Sequence, residues 1–198
     1  WNTIGAAAAT VAALVAVSLA TLGGGVWQAF IDSMNFTQTI VLEQGGTGWQ
    51  KIQSIFSAVR AWGASVPIAY AAQATLFAAL AATLAWLWHS DAAFELKAAA
   101  LALGSLLATP YVLDYDLVVL AVAIAFFARH GLRHGFRDFE ISLLAAAWIV
   151  PLLSRSVAGA TFIPLGLLVE LTLYAFVLRR AALDRASHAV GAHRVAQA

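Results

Sequence analysis

The sequence has no cysteine and very little charge. The lack of cysteine in 198 residues excludes disulfide bonds, thiolate metal sites and a cysteine nucleophile. Charged residues make up 11% of the chain and hydrophobic residues 62%, with a mean hydropathy of +0.84. A soluble domain has roughly 25% charged residues. Because so little polar surface cannot cover a water-soluble globule, the composition indicates a polytopic membrane protein and excludes a disordered one.

Long apolar runs recur along the chain, and each predicts a spanning helix. They cover residues 4–22, 66–88, 98–109, 117–128, 141–153 and 162–178. A span needs about 20 residues, so the shorter runs are expected to borrow flanking residues. We therefore predict an all-α membrane fold with about six transmembrane helices in residues 1–180. The polar residues 181–198 predict a disordered tail.

A mixed segment, residues 23–65, separates the first two runs. Its pattern predicts, in order, a helix stop at Gly23–Gly25, a short helix over 26–36, an extended stretch over 37–42 and a flexible loop over 44–48. Residues 49–62 then predict an amphipathic helix with a tryptophan at each end. Such a helix would lie in the plane of the membrane interface.

The basic residues are distributed unevenly between the two sides that six crossings define. Eight of the 11 fall on one side, which the positive-inside rule makes cytoplasmic together with the C terminus. The other three are Lys51, Arg60 and Arg155. This topology places the mixed segment, the stretch 108–116 and the loop 154–161 on the outward face.

Residues 108–116 concentrate polar groups between two apolar runs. Asp114 and Asp116 are two positions apart and would point about 200° apart on a helix, so they do not form a matched acid–base pair there. Two interpretations remain open. Either one aspartate caps the following helix and the other meets solvent, or both line a substrate site together with Tyr115.

The three outward cations also admit two interpretations. Arg60 and Arg155 could grip a phosphate through their forked guanidinium groups and Lys51 as a point charge. Alternatively, all three are interfacial cations that face lipid headgroups.

The remaining candidates favour structural roles. For Glu170, in the last run, a polar partner within the bundle is favoured over a proton relay. His130 and His134 are spaced i, i+4 but lack an obvious acidic third ligand, so we predict no metal site. No nucleotide-binding motif is present, and the basic connectors lack the aromatic residues typical of nucleic-acid binders.

Two stretches are distinctive. They read Lys-Ile-Gln-Ser-Ile-Phe-Ser-Ala-Val-Arg-Ala-Trp-Gly-Ala-Ser over 51–65 and Leu-Ala-Thr-Pro-Tyr-Val-Leu-Asp-Tyr-Asp-Leu over 107–117. With Pro151-Leu-Leu-Ser-Arg155 and Ile163-Pro164-Leu165, they resemble the C-terminal half of bacterial glycosyltransferase family 87 proteins. The likeness covers about residues 1–180.

The resemblance implies an integral-membrane enzyme of the GT-C type. Family members are similar to mannosyltransferases that take a hexose from a polyprenyl phosphate and pass it to a glycan or glycolipid acceptor outside the cytoplasm. It implies a bacterial inner-membrane location, an inverting mechanism with an aspartate base, and no cofactor. That aspartate belongs to the first outward loop, which we expect to lie upstream of Trp1, so no catalytic residue is assigned. Residues expected to hold the donor phosphate or shape its groove are Lys51, Arg60, Asp114, Tyr115, Asp116 and Arg155.

Two other classes remain possible from the sequence. A transporter or flippase subunit would need polar residues along a path through the bilayer, and Glu170 with a few Ser and Thr residues supplies little of one. For a structural assembly subunit, changes at Asp114 and Asp116 would lower the protein level without a separate loss of activity.

Overall fold

The computed structural model describes the backbone of residues 2–195 and the side chains as far as 186. The chain divides into two compact units, Trp1–Gly46 and Thr47–Ala198. The described part of each is built from helices and connecting turns, as expected for a chain that must satisfy its backbone polar groups within a bilayer. The all-α prediction is confirmed.

The first unit contains two α-helices and a π-helix. Helix α1 spans Asn2–Leu22, α2 spans Gly24–Phe36, and the π-helix continues over Thr37–Glu43. Gly23, at φ +77°, interrupts the helical conformation between α1 and α2. The indole of Trp27 donates a hydrogen bond to Ser18 Oγ at 3.1 Å, which ties α2 back to α1.

The extended stretch predicted over residues 37–42 is wrong. Its Thr, Ile and Val residues favour strand conformation locally. The helix instead continues from α2 without a break, and the amide of Gln44 donates to Thr39 O, five residues back. A continued helix satisfies these backbone groups internally, whereas an isolated extended segment would leave them without partners.

The described part of the second unit holds six α-helices, with α5 at the centre. They are α3 (Ile55–Ala61), α4 (Val66–Trp88), α5 (Phe94–Leu107), α6 (Leu120–His134), α7 (Glu140–Thr161) and α8 (Leu165–Val195). Helix α5 packs against α4, α6 and α8, and eight of its 14 residues are buried. The core therefore forms around α5.

The amphipathic helix predicted over residues 49–62 is also corrected. A 3₁₀ turn covers Trp49–Lys51, residues 52–54 are extended, and only then does α3 begin, capped by the Ser54 hydroxyl at 3.1 Å from the Ser57 amide. Ile52 is only 2% exposed because it pairs with Leu113, 61 residues away. This tertiary pairing outweighs the helical periodicity, as tertiary context often does.

Four of the described helical segments are long and apolar enough to span a membrane. They are Asn2–Leu22, Val66–Trp88, Asp114–His134 and Glu140–Thr161. The six spans expected from the sequence included two more, now α5 and α8. Helix α5 has 14 residues, or about 21 Å at 1.5 Å per residue. The first 18 residues of α8 include three charged residues, Glu170, Arg179 and Arg180. Helix α5 is therefore too short, and the start of α8 too charged, to be counted among the four spans.

The connectors of the second unit gather at two opposite ends of its helices. We call residues 49–65, 108–114 and 154–164 the loop end, and residues 89–97, 129–140 and 179–186 the arginine-rich end. Helix α8 passes the start of the expected disordered tail at residue 181 and continues to Val195.

Candidate functional site

The loop end is organised by a short antiparallel contact between two distant segments. Ile52 and Leu113 form an isolated β-bridge, and the amide of Gln53 donates to Val112 O at 2.7 Å. In this antiparallel register, Lys51 and Asp114 occupy the next pair of positions. The contact thus brings two of the predicted site residues to one place on the backbone.

Helix α5 stops just before Pro110, and its last carbonyl groups are satisfied by a side chain. Gln73, on α4 and 5% exposed, donates its amide Nε2 to Leu107 O at 3.0 Å and to Ala108 O at 3.2 Å. The final carbonyl groups of a helix have no amide donor within that helix, and Pro110 has no amide hydrogen with which to extend it. Gln73 therefore fixes where the polar stretch 108–116 leaves the core.

Asp116 has a structural task at the loop end. Its Oδ2 accepts a hydrogen bond from the amide of Leu113 at 2.8 Å. Leu113 precedes a 3₁₀ turn, Asp114–Val119, that leads into α6. The capping interpretation is confirmed for Asp116, because its carboxylate satisfies an amide that the turn leaves unpaired.

Asp114 forms an ion pair instead of meeting solvent alone. Its Oδ2 lies 3.6 Å from Nη1 of Arg155, which comes from α7. The arginine side chain is 55% exposed and the aspartate side chain 19%. An exposed pair at this distance contributes little to stability, about 0–1 kcal/mol. Arg155 therefore keeps most of its guanidinium accessible.

Arg60 contacts Trp49, and Lys51 lies in the same turn as Trp49. The guanidinium carbon of Arg60 is 5.3 Å from the Trp49 ring centroid, and its Nη1 donates to Ala64 O. Arg60 thus holds the turn that follows α3. Lys51 belongs to the same 3₁₀ turn as Trp49, and no described residue forms a hydrogen bond or ion pair with its ammonium group.

Tyr115 stands apart from these groups. Its residue exposure is 69%, and its side chain has no hydrogen-bond partner among the described residues. An exposed tyrosine at the start of a spanning segment suits a membrane interface, where its ring meets lipid and its hydroxyl meets water.

A small cavity of about 60 Å³ opens at the loop end beside the 3₁₀ turn. Its walls include Trp49, Gln50, Gln53, Gly159 and Phe162. Gln53 is 1% exposed, and its Oε1 has no hydrogen-bond partner among the described residues. The lining is mainly apolar, with Gln50, Gln53 and Ser57 as its polar side chains, and a cavity of this size has room for a few water molecules or one substituent of a ligand.

The structure places Asp114 against Arg155, and the antiparallel contact brings the backbone of Lys51 beside Asp114. Arg60 lies over Trp49, Asp116 acts as a cap, and Tyr115 is exposed. Sequence reasoning missed Trp49, Gln50 and Gln53 as cavity residues because residues 49–62 were read as one helix. The available signal for the cavity was the presence of Gln50 and Gln53 close to Trp49, just after a glycine-rich loop.

Two other groups singled out in the sequence lie elsewhere. Glu170 is fully buried in α8, and neither carboxylate oxygen has a partner among the described residues, so the expected polar partner is not among them. The rings of His130 and His134 stack at 4.5 Å at the arginine-rich end. Within the described residues, no group of three or more potential ligands could hold a metal ion.

Comparison with known proteins gives one match. The model of glycosyltransferase family 87 matches residues 1–110. The chain belongs to glycosyltransferase family 87. Membership makes it part of a membrane glycosyltransferase, in agreement with its apolar helices. No curated protein and no solved structure matches the chain significantly.

The family match ends inside the polar stretch. It includes Lys51, Arg60 and the cavity wall from Trp49 to Gln53, and it stops at Pro110. Asp114 and Arg155 lie beyond it. The match is thus narrower than the likeness over residues 1–180 expected from the sequence.

Proposed function

We propose that this chain forms part of an enzyme that transfers a hexose, mannose in the first instance, from a polyprenyl phosphate to an acceptor on the extracytoplasmic side of a bacterial inner membrane. The glycan or glycolipid acceptor and the donor meet at the loop end. The observation that carries the proposal is that the segments bearing three cations meet at the Trp49–Lys51 turn. Lys51 belongs to this turn, Arg60 lies over its Trp49 ring, and α7, which carries Arg155, packs against it.

The three cations suit a phosphate that lies at a membrane surface. Lys51 offers an ammonium without a partner among the described residues, and Arg155 offers a guanidinium that only a weak exposed pair engages. Arg60 is held by Trp49 and Ala64 O, so it supplies a fixed positive charge beside them. A guanidinium fork and an ammonium together complement a phosphate diester.

The distribution of charge supports an orientation for this site. The arginine-rich end carries most of the basic residues, and the positive-inside rule favours a cytoplasmic side for it and for the C terminus. The loop end then faces outward, where a lipid-linked donor presents its sugar. Asp114 and Tyr115 line this side, Asp116 shapes it through its cap, and none of them is assigned as the general base.

Donor kinetics test the proposal in the full-length enzyme. Lys51→Gln and Arg155→Gln should each raise the KM for the polyprenyl-phosphate donor by about tenfold or more, since a charge-assisted hydrogen bond contributes about 1.5–3 kcal/mol. The matched control is Arg129→Gln, an exposed cation at the opposite end, whose donor KM should stay unchanged. An unchanged donor KM in both loop-end variants would contradict the phosphate role.

The buried Glu170 is the observation that favours a transporter or flippase, since an intramembrane carboxylate often marks a transport path. Reconstituted liposomes separate the two functions. Flux of a lipid-linked sugar without transfer to an acceptor would support transport, and transfer without flux supports the enzyme.

A further inference from the structure

A larger cavity lies at the arginine-rich end, away from the proposed donor site. Its volume is about 490 Å³. Pockets that bind small ligands typically have about 300–1,000 Å³. Its described walls come from the segment before α5, the C-terminal end of α6 with the connector that follows it, and α8. Three separate parts of the fold thus converge on one space.

The described lining carries an excess of positive charge. Three arginines, Arg137, Arg180 and Arg185, line the cavity with two carboxylates, Asp91 and Asp184. With neutral histidines, one net positive charge remains. Basic pockets between membrane helices on the cytoplasmic side are typical binding sites for anionic headgroups.

Arg180 is the rigid part of this lining. It is 3% exposed, and its guanidinium donates to Glu140 and Asp184 at 3.0 Å each and to Gly135 O at 3.1 Å. These bonds use Nε and Nη1, while no described residue accepts from Nη2. A buried guanidinium held in this way keeps its remaining donors in a fixed direction, at little entropic cost on binding.

His130 supplies an unsatisfied group in the same cavity. It is 2% exposed, and its Nε2 lies 2.9 Å from Asp184 Oδ2. Its Nδ1 is buried and has no partner among the described residues. When Nε2 donates to the carboxylate, Nδ1 of the neutral ring is an acceptor. A buried polar atom without a partner is costly, and a hydroxyl of the ligand, such as a protonated phosphate oxygen, would satisfy it.

The wall opposite is held by close packing. Phe136 lines the cavity, and its ring lies against Gly131 so closely that a Cβ there would overlap it. Arg185 lies over the Trp86 ring at 5.4 Å, which holds the third arginine in place. The cavity is thus built from held side chains.

We propose that this cavity binds a phosphate-bearing anion through Arg137, Arg180, Arg185 and His130. Arginine forks match the paired oxygens of a phosphate, and the histidine adds an acceptor from α6 for a ligand hydroxyl. The phosphate belongs either to an anionic phospholipid headgroup or to a soluble phosphate ester. The site is separate from the proposed donor site, and its test measures binding, so it stands or falls independently of sugar transfer.

Native mass spectrometry of the full chain in detergent tests the site with two probes. One arm adds inorganic pyrophosphate and the other adds phosphatidylglycerol, each compared with phosphatidylcholine. Arg137→Gln and Arg185→Gln should weaken binding of the effective probe by about tenfold each. Binding of pyrophosphate assigns a soluble ester, and binding of phosphatidylglycerol alone assigns a lipid headgroup.

The controls are two arginines near the C-terminal end of α6. Arg129 and Arg133 pair with Glu95 at 3.4 and 2.6 Å and do not line the cavity. Arg129→Gln and Arg133→Gln remove the same charge, and binding should change by less than about twofold. Equal weakening by all four variants, or failure of both probes to bind better than phosphatidylcholine, would overturn the proposal. His130→Gln gives a second check. It should weaken binding, and it leaves the net charge of the cavity unchanged because neutral histidine and glutamine carry the same charge.

Discussion

At the scale of single residues, similar side chains of one short stretch have different tasks. Asp114 and Asp116 are two positions apart, yet Asp116 accepts the Leu113 amide while Asp114 faces Arg155. The first interaction fixes the local backbone. The second is exposed and weak, and it leaves a cation accessible to a ligand.

This difference predicts opposite effects of two matched variants. Asp116→Ala should destabilise the full-length protein by about 1–2 kcal/mol, because the Leu113 amide loses a charged acceptor. Asp114→Ala removes only an exposed pair and should cost about 0–1 kcal/mol. Thermal unfolding in detergent compares them. A larger loss of stability for Asp114→Ala than for Asp116→Ala would show that the cap is assigned to the wrong carboxylate.

At the scale of elements, the loop end depends on how closely α8 approaches residues 52–54. A Cβ added to Gly166, at the start of α8, would lie 2.6 Å from Gln53 Oε1. Gln53 in turn donates its amide to Val112 O and its side chain to Gln50 O at 2.9 Å. One small residue thus allows the segment that carries Trp49 and Lys51 to pack in place.

The close approach predicts that Gly166→Ala destabilises the protein by about 1–3 kcal/mol, as overpacking of a filled site does. The control is Gly159→Ala, where a Cβ would meet Gln50 at an ordinary 3.7 Å. That change should be neutral or slightly stabilising, because alanine favours a helix over glycine by about 1 kcal/mol. Unfolding midpoints of both variants check this. Equal midpoints would mean that Gln53 moves aside freely.

The sequence predicts the elements well where local signals agree. The run 66–88 matches Val66–Trp88, since Ser65 precedes a largely apolar stretch and a tryptophan ends it. The local pattern predicts a helix over residues 49–54, because the partner of Ile52 lies 61 positions away and leaves no trace in the neighbouring sequence. The cations of the site were predicted from their types, whereas the Asp114–Arg155 pair depended on the packing of α7.

At the scale of the whole molecule, the second unit has two differently charged ends. The arginine-rich end is an ion-pair network in which Asp184 joins His130, Arg137 and Arg180. Partial burial raises the pKa of Asp184, but hydrogen bonds from Arg180 and His130 outweigh it and hold that pKa below its ordinary value of 3.8. The network fastens α8 to α6 and to the connector before α7.

The lowered pKa of Asp184 predicts an acid-sensitive end. A carboxylate whose pKa falls on folding contributes stability above its unfolded pKa, and this contribution is lost as pH falls through the folded value. Stability should therefore decline below about pH 4, and Asp184→Asn should reduce the part of that decline that this group causes. Unfolding midpoints between pH 7 and pH 3 measure it. Asp138→Asn, an exposed control on the neighbouring connector, should keep the wild-type pH profile, and an unchanged profile in Asp184→Asn would contradict the assignment.

The central claim is that the donor phosphate binds at the loop end. Photolabelling of the full-length enzyme in nanodiscs tests it most directly, with a polyprenyl phosphate that carries a diazirine beside the phosphate and with mass spectrometry of the labelled peptides. Labels are expected in the peptides that contain Trp49–Lys51 and Arg155, reduced by Lys51→Gln and unaffected by Arg129→Gln. Labels confined to residues 129–140 and 179–186, with none around Lys51 and Arg155, would contradict it.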